Sequence, residues 1–207
     1  MPPVPESKRA KVIGVIGGIA SGKSNLSNVL ESIGGVRVDA DAIAHSVLRK
    51  PLVVRRLVQL LGEGILNSRG EIDRGRLAAL AFPPSGQRTR ALMLLEEVTH
   101  PVIHACAVRK ISQLHEDPKV RAIVIDAPLL LEAGWAPMCD HIVFIDTADA
   151  VRLERAKARG WTREHFEARE SAQLPIEEKR LQATHMVSGE LEVEQLRDFC
   201  QRLIEST

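Results

Sequence analysis

The sequence contains no tyrosine, and its 207 residues include only four phenylalanines and two tryptophans. Many proteins that bind single-stranded nucleic acid stack bases on aromatic side chains, so this composition argues against such a platform. Basic and acidic residues nearly balance, with a formal net charge of +1, so the whole chain has no strong attraction for nucleic acid or anionic membranes. These scarcities favour a small molecule as the binding partner.

Cysteines and long apolar runs are also scarce. The three cysteines, Cys106, Cys139 and Cys200, stand far apart without metal-ligand spacing, which predicts reduced thiols and a cytoplasmic location. Charged residues interrupt the longest apolar runs before the roughly 20 residues that a membrane-spanning helix needs. Residues 1–11 carry three prolines but no apolar signal stretch, so we expect a disordered leader before a domain spanning 12–207.

A glycine-rich loop follows the short apolar run at residues 12–16. It has Gly17, four further residues, and then Gly22-Lys23-Ser24, which is the spacing of a P-loop. Lys23 would reach the outer phosphates of a nucleotide, the Ser24 hydroxyl would help hold Mg²⁺, and a helix beginning there would favour the same anion. The phosphate-binding residues are therefore predicted to be Gly18, Ile19, Ala20, Ser21, Gly22, Lys23 and Ser24.

Two later apolar segments end in carboxylates. Residues 36–39 predict a strand that ends at Asp39, with Asp41 just beyond it, and residues 122–125 predict a strand followed by Asp126. Ligands of open α/β sheets bind at the carboxyl ends of the strands, and Asp126 is predicted to orient Mg²⁺. Asp41 could instead cap a helix, and Asp39 could have a structural role.

The order of these segments predicts an α/β fold: a three-layer P-loop domain with a parallel sheet. Its nucleotide-binding core would comprise residues 12–45, 120–147 and 183–207. Residues 46–119 have helical periodicity and no strand pattern, so they predict a helical insertion suited to recognising a second substrate.

Six segments together resemble the dephospho-CoA kinase family, over about residues 12–203. They are Gly-Gly-Ile-Ala-Ser-Gly-Lys-Ser at 17–24, Asp-Ala-Asp-Ala-Ile-Ala-His at 39–45, Gly-Glu-Ile-Asp-Arg-Gly-Arg-Leu at 70–77 with Phe82, Thr99-His100-Pro101, Asp-Ala-Pro-Leu-Leu-Leu-Glu at 126–132, and Cys-Asp-His-Ile-Val at 139–143. The resemblance implies a P-loop kinase with a substrate domain at 46–119 and a helical lid at 148–182. It implies transfer of the ATP γ-phosphoryl group, with Mg²⁺, to the ribose 3′-hydroxyl of dephospho-CoA, giving coenzyme A.

The resemblance also implies roles for individual residues. Asp41 would accept the proton of the acceptor hydroxyl, with Lys23 and Arg155 as the other catalytic residues. Arg159 would contact phosphate, and the acceptor would contact Asp39, Asp41, His100 and Phe82. Partners would be ATP and dephospho-CoA, without nucleic acid or membrane, and the protein would be a monomer or small homo-oligomer.

Several alternatives remain open at this point. Arg152, Arg155 and Arg159 share a helix face, but that face could be solvated and paired with acids. His45 and His100 could be structural, and Phe82 and Trp135 could pack in a core. A kinase for a nucleoside or nucleotide, or a nucleotide sensor without turnover, would also use a P-loop.

The sequence departs from the family pattern at two places. The family usually has Asn before its C-terminal Ser-Gly pair, whereas this chain has Met186-Val187-Ser188-Gly189, which affects any adenine contact from that loop. Ile16 stands where the family often has Thr, but the backbone N–H groups of a P-loop do not need that side chain.

Overall fold

The centre of the fold is a five-stranded parallel sheet, seen in a computed structural model that describes residues 9–82 and 89–206. The strands are β1 (Lys11–Gly17), β2 (Gly35–Asp39), β3 (Ala122–Asp126), β4 (His141–Asp146) and β5 (His185–Ser188). Their order across the sheet is β2-β3-β1-β4-β5, and every neighbouring pair is parallel. The predicted α/β fold with a parallel sheet is therefore confirmed.

Nine α-helices accompany these strands within the described residues. They are α1 (Lys23–Ser32), α2 (Ala40–Val47), α3 (Pro51–Leu61), α4 (Arg74–Ala81), α5 (Arg90–His115), α6 (Asp149–Ala158), α7 (Arg163–Ser171), α8 (Ile176–Leu181) and α9 (Val193–Glu205). Helices α1 and α9 share one hydrophobic cluster with the sheet, in which Leu30 and Leu203 pack with Val15. Residues 12–17 of β1 are all buried, as expected of a central strand covered on both faces.

The strand register brings the last residue of each strand to the carboxyl edge of the sheet. Asp39 of β2 pairs with Asp126 of β3, while Asp146 of β4 pairs with Ser188 of β5. The central strand β1 ends there at Gly17 and leads into the glycine-rich loop. This edge is where ligands of parallel α/β sheets bind.

The chain divides into two units, at Asp39/Ala40 and at Arg109/Lys110. The second unit, Ala40–Arg109, is helical and has a core built around Val47, Leu57 and Leu77. These boundaries differ from the predicted insertion at 46–119 for two reasons. Helix α2 belongs to the second unit because its Val47 packs into the core of that unit. The other boundary falls inside helix α5, which continues through residue 109, so no change of sequence pattern marks it.

Helix α5 is the one described helix long and apolar enough to cross a membrane, judged by length and composition. Core helices of soluble proteins pass the same test. Leu95, Val98 and Val102 of α5 pack against the core of the second unit, which accounts for their apolar character.

The disordered leader was predicted for residues 1–11, of which 1–8 lie outside the described residues. For the last residues of this range, the prediction was wrong. Ala10 is buried, Lys11 begins β1, and Arg9 forms an ion pair of 3.2 Å with Asp140. In the sequence, Pro83-Pro84-Ser85-Gly86 interrupt the helical periodicity of residues 46–119, and these four residues also lie outside the described ones.

Candidate active site

The P-loop lies between β1 and α1, at the carboxyl end of the central strand. The Nζ of Lys23 donates hydrogen bonds to the carbonyls of Gly17, at 3.0 Å, and Gly18, at 2.7 Å. Gly22 precedes α1 with φ of 108°, a conformation that an L side chain rarely adopts. No side chain of the described residues caps α1, so the free N–H groups of its first turn favour an anion there.

The electrostatics of Lys23 point to the same ligand. Burial and, to a lesser extent, the positive charge of Lys179 together lower its pKa to about 8, whereas the carboxylate of Asp126 opposes both effects. Arg152 and Arg159 add smaller effects that lower the pKa. A cluster of cations this close together is stabilised by a bound anion.

A cavity of about 170 Å³ opens at this loop. It is lined by Ala20, Ser21, Gly22, Lys23, Ser24, Asn25, Arg155 and Arg159. The buried Oγ of Ser21 has no hydrogen-bond partner among the described residues, so a polar ligand atom would satisfy it. The cradle therefore fits a phosphate group, and most of the predicted phosphate-binding residues line it. Gly18 and Ile19 do not.

The three arginines expected on one face of α6 have different environments. Arg152 is buried, and its guanidinium donates to Glu170, to Asp149 and to the carbonyl of Ile19, so protein acceptors take up most of its donors. Burial disfavours the charge of Arg152, but its hydrogen bonds to the carboxylates of Glu170 and Asp149, with their negative charges, outweigh this effect and raise its pKa. Sequence spacing could not reveal Glu170, which lies 18 residues further along the chain on α7.

Arg155 connects two loops of the site. Its Nη1 donates to the carbonyl of Ser21 at 3.2 Å, and its Nη2 donates to the carbonyl of Gly189 at 2.9 Å. Since a guanidinium has five N–H donors, these bonds leave others for a ligand in the adjoining cavity. Arg159 is exposed at the C-terminal end of α6 and lines the same cavity.

Asp126, the predicted Mg²⁺ ligand, is paired with an arginine that the sequence analysis missed. The Nη1 of Arg37 donates to Asp126 at 3.1 Å, while its Nη2 donates to Asn28 and Glu31 on α1. No group of three metal-ligand side chains occurs within residues 9–82 and 89–206. Mg²⁺ commonly takes one or two protein ligands and otherwise binds water and phosphate, so the exposed Ser24 hydroxyl in the first turn of α1 and the Asp126 carboxylate at the end of β3 suit that ion.

The predicted acceptor-binding residues are exposed. Asp39 ends β2 in the first unit, whereas Asp41 lies in the first turn of α2 in the second. His100 is exposed on α5, next to Pro101. Of the two aromatic residues considered for core packing, Trp135 is 4% exposed and packs as expected. Phe82 is 62% exposed, so core packing was wrong for it.

A second buried cation, Lys179 on α8, was not anticipated. Its Nζ donates to Gln173 at 2.6 Å and lies 3.8 Å from Glu132, whose carboxylate accepts a hydrogen bond from the Leu174 backbone. Burial lowers the pKa of Lys179, and Glu132 opposes that shift. These contacts tie the loop after β3 to the segment that joins α7 and α8.

The family profile for dephospho-CoA kinase matches residues 11–195. This chain belongs to the dephospho-CoA kinase family. A dephospho-CoA kinase of Geobacter sulfurreducens is 40% identical over 171 residues, covering 81% of this chain and 84% of that relative. The resemblance noted in the sequence is therefore confirmed.

Solved structures agree with membership of this family. The protein TT1252 from Thermus thermophilus is 33% identical, with a TM-score of 0.76 over 97% of this chain and 100% of that one. The dephospho-CoA kinase from Campylobacter jejuni is 25% identical, with a TM-score of 0.63 over 95% of this chain and 97% of that one. The likeness covers both units, so the P-loop kinase fold extends over the whole described chain.

Proposed function

We propose that this chain transfers the γ-phosphoryl group of ATP to the ribose 3′-hydroxyl of dephospho-CoA. The observation that carries the proposal is the P-loop, with Lys23 folded over it, in a chain whose family match spans residues 11–195. The P-loop indicates a nucleotide donor, and family membership indicates the acceptor.

For the donor, the backbone N–H groups of residues 18–24 would surround the β- and γ-phosphates of ATP. The ammonium of Lys23 would exchange its two carbonyl partners for phosphate oxygens. Arg155 and Arg159 would bind the charge that spreads over the γ-phosphoryl oxygens during transfer. Support comes from the cavity that these side chains share with the loop.

Mg²⁺ would be held by the Ser24 hydroxyl and, through water, by Asp126. Bound there, the ion neutralises charge on the β- and γ-phosphates. Arg37 would keep the Asp126 carboxylate oriented by its hydrogen bond of 3.1 Å. The exposed Ser24 side chain at the second position of α1 supports this assignment.

For the acceptor, Asp41 would orient the 3′-hydroxyl and take its proton as the new P–O bond forms and the bond to ADP breaks. Asp39, His100 and Phe82 would contact the rest of the nucleoside. Asp41 lies in the first turn of α2, so an interaction with the helix dipole remains the structural alternative for it. The helical second unit would be the substrate domain, residues 148–182 would form the lid, and the protein would be cytoplasmic and monomeric or a small oligomer.

Coenzyme A formation tests the proposal. Purified protein is incubated with Mg²⁺, ATP and dephospho-CoA, and the product is measured by mass spectrometry. We expect coenzyme A and ADP in equal amounts, and their absence at saturating substrate would contradict the function. Activity on a nucleoside or nucleotide alone would indicate a different kinase.

The role of Asp41 has a separate test. Asp41→Asn should lower kcat by about 10²- to 10⁴-fold, the usual contribution of a positioned acid or base, with ATP affinity unchanged. Asp198→Asn on α9, another exposed aspartate, is the matched control and should retain full activity. Equal activity of both variants would leave Asp41 with only its structural role.

A further inference from the structure

Lys179 on α8 carries a buried charge that has no role in the proposed transfer. Its side chain is 3% exposed, and its ammonium has three N–H donors. Among the described residues, 9–82 and 89–206, its one hydrogen-bond acceptor is Oε1 of Gln173, at 2.6 Å. The carboxylate of Glu132 lies 3.8 Å from Nζ, which is beyond hydrogen-bond distance. Two donors of a buried cation are therefore left for another acceptor.

Lys179 lies beside the P-loop. Ile176, three residues earlier on α8, packs on Gly18, since a Cβ added to Gly18 would lie 3.0 Å from Cδ1 of Ile176. Residues three apart share a helix face, so Lys179 lies on the face of α8 that contacts the loop. Among the neighbouring charges, that of Lys179 has the largest effect on the pKa of Lys23 and lowers it. An anion placed beside both ammonium groups would relieve this repulsion.

A phosphate oxygen has the chemistry that these donors need. It carries negative charge and accepts several hydrogen bonds, and charge-assisted bonds of this kind are about twice as strong as neutral ones. The lysine of a P-loop reaches the β- and γ-phosphates of a bound nucleotide. Lys179 acts on that lysine, Lys23, from the side of Gly18, whereas Arg155 and Arg159 line the cavity along residues 20–25. The γ-phosphate is therefore the group that Lys179 would meet.

Two side chains hold Lys179 ready for this contact. Gln173 accepts one of its hydrogen bonds, and the Glu132 carboxylate accepts a bond of 2.8 Å from the Leu174 backbone while it lies near the ammonium. Glu132 thus balances the charge of Lys179 without taking its donors. Donors fixed in place before a ligand binds need little rearrangement when charge develops on that ligand.

We propose that Lys179 is a second lysine of the nucleotide site, which together with Lys23 binds the γ-phosphoryl group of ATP during transfer. The inference rests on the proposed function for its donor and adds a residue that distinguishes ATP from ADP. Negative charge spreads over the γ-phosphoryl oxygens in the transition state, so a contact there lowers the barrier to transfer. Glu132 is a positioning residue, since it acts through Lys179.

Nucleotide affinities provide the first test. Calorimetry with Mg²⁺ and no acceptor compares ADP with the non-hydrolysable β,γ-imido analogue of ATP. Lys179→Met should weaken binding of the analogue about 10- to 100-fold, the range for a lost charge-assisted hydrogen bond, with ADP affinity unchanged within about threefold. Lys179→Arg keeps the charge and should retain most of the preference for the analogue. Lys157→Met, at an exposed lysine of α6 paired with Glu154, is the control and should match the wild type.

A double variant tests the structural alternative, in which Lys179 only balances Glu132. Lys179→Met leaves the Glu132 carboxylate without its cation, and this change could disturb the loop. In Lys179→Met, Glu132→Gln no charge loses its partner, and the new amide can still accept from the Leu174 N–H. Thermal melting should show a folded protein, and we expect the analogue to remain weakly bound and kcat to be at least tenfold below the wild type.

Three results would overturn the inference: a wild type that binds the analogue no more tightly than ADP, equal losses of both affinities in Lys179→Met, or recovery of the preference in the double variant. The affinities need no acceptor, so they are independent of the reaction. A wild type that forms no coenzyme A but shows the Lys179-dependent preference would contradict the proposed function and leave the γ-phosphate contact standing.

Discussion

The buried pair of Arg152 and Glu170 joins the P-loop to α7, and removing one partner tests this connection. The Arg152 side chain is 2% exposed, and Glu170 is 27% exposed. Breaking a fully buried ion pair typically destabilises a protein by about 3–5 kcal/mol, because the remaining charge has no partner. Glu170 retains some solvent and Arg152 keeps Asp149, so we expect Glu170→Ala to lower the free energy of unfolding by about 2–3 kcal/mol.

For a chain of this size, that loss corresponds to a decrease in Tm of about 5–10 °C. Urea unfolding and thermal melting measure it. The matched control is Asp149→Ala, which removes the other carboxylate partner. Because the Asp149 side chain is 87% exposed, its loss should cost about 1 kcal/mol or less.

Replacing both residues provides the decisive comparison. The double variant Arg152→Met, Glu170→Ala leaves no buried charge without a partner, so it should be more stable than Glu170→Ala alone. Arg152 also donates to the Ile19 carbonyl, and Glu170→Ala should therefore raise the KM for ATP a few-fold. If the free energies of unfolding of Glu170→Ala and Asp149→Ala agree within about 0.5 kcal/mol, the buried charge of Arg152 does not make Glu170 the more important partner.

Three further perturbations probe the nucleotide site. The pKa of Lys23 is lowered to about 8 in the free protein and must rise when phosphate binds, because the anion favours the charged ammonium. ATP affinity should therefore be constant below pH 8 and fall by up to about tenfold per pH unit above it. Calorimetry from pH 7.5 to 9.5 measures this, and a similar fall in Lys23→Met would exclude Lys23 as the cause. Ser24→Ala should raise the Mg²⁺ concentration needed for half-maximal activity about tenfold, and an unchanged Mg²⁺ titration would contradict a metal contact. Gly189→Ala should lower the free energy of unfolding by about 1–3 kcal/mol, because the added Cβ would collide with the Ser21 carbonyl. Urea unfolding measures this loss, and Gly64→Ala, whose Cβ would meet nothing within 4 Å, is the control.

Local signals made the P-loop and its helix predictable. Glycine spacing, a preceding apolar strand and Lys23 lie within a dozen consecutive residues, and the structure has β1 and α1 where the sequence indicates them. Strand β5 was not anticipated, since its four residues, His185–Ser188, are too few to show periodicity. Its place depends on pairing with β4, which is a tertiary contact.

Partners distant in sequence explain the differences within the site. Arg152 and Arg155 lie one turn apart on the same helix, so the sequence does not distinguish them. Arg152 is buried against Glu170, whereas Arg155 contacts two loop carbonyls. Arg37 and Asp126 are 89 residues apart, so the sequence could indicate the carboxylate but not its cation. The sequence supplies the residue types, and the three-dimensional fold selects which of them face the ligand.

The turn at Gly189 shows how the chain can keep its site without the asparagine that its family usually has there. The Gly189 N–H donates to the Asp146 carbonyl at 2.8 Å, and the Gly189 carbonyl accepts from Arg155 at 2.9 Å. Both bonds use backbone atoms of Gly189, so neither requires an asparagine side chain in the turn. The connection from the P-loop through Arg155 to the turn after the edge strand is therefore kept without an asparagine side chain.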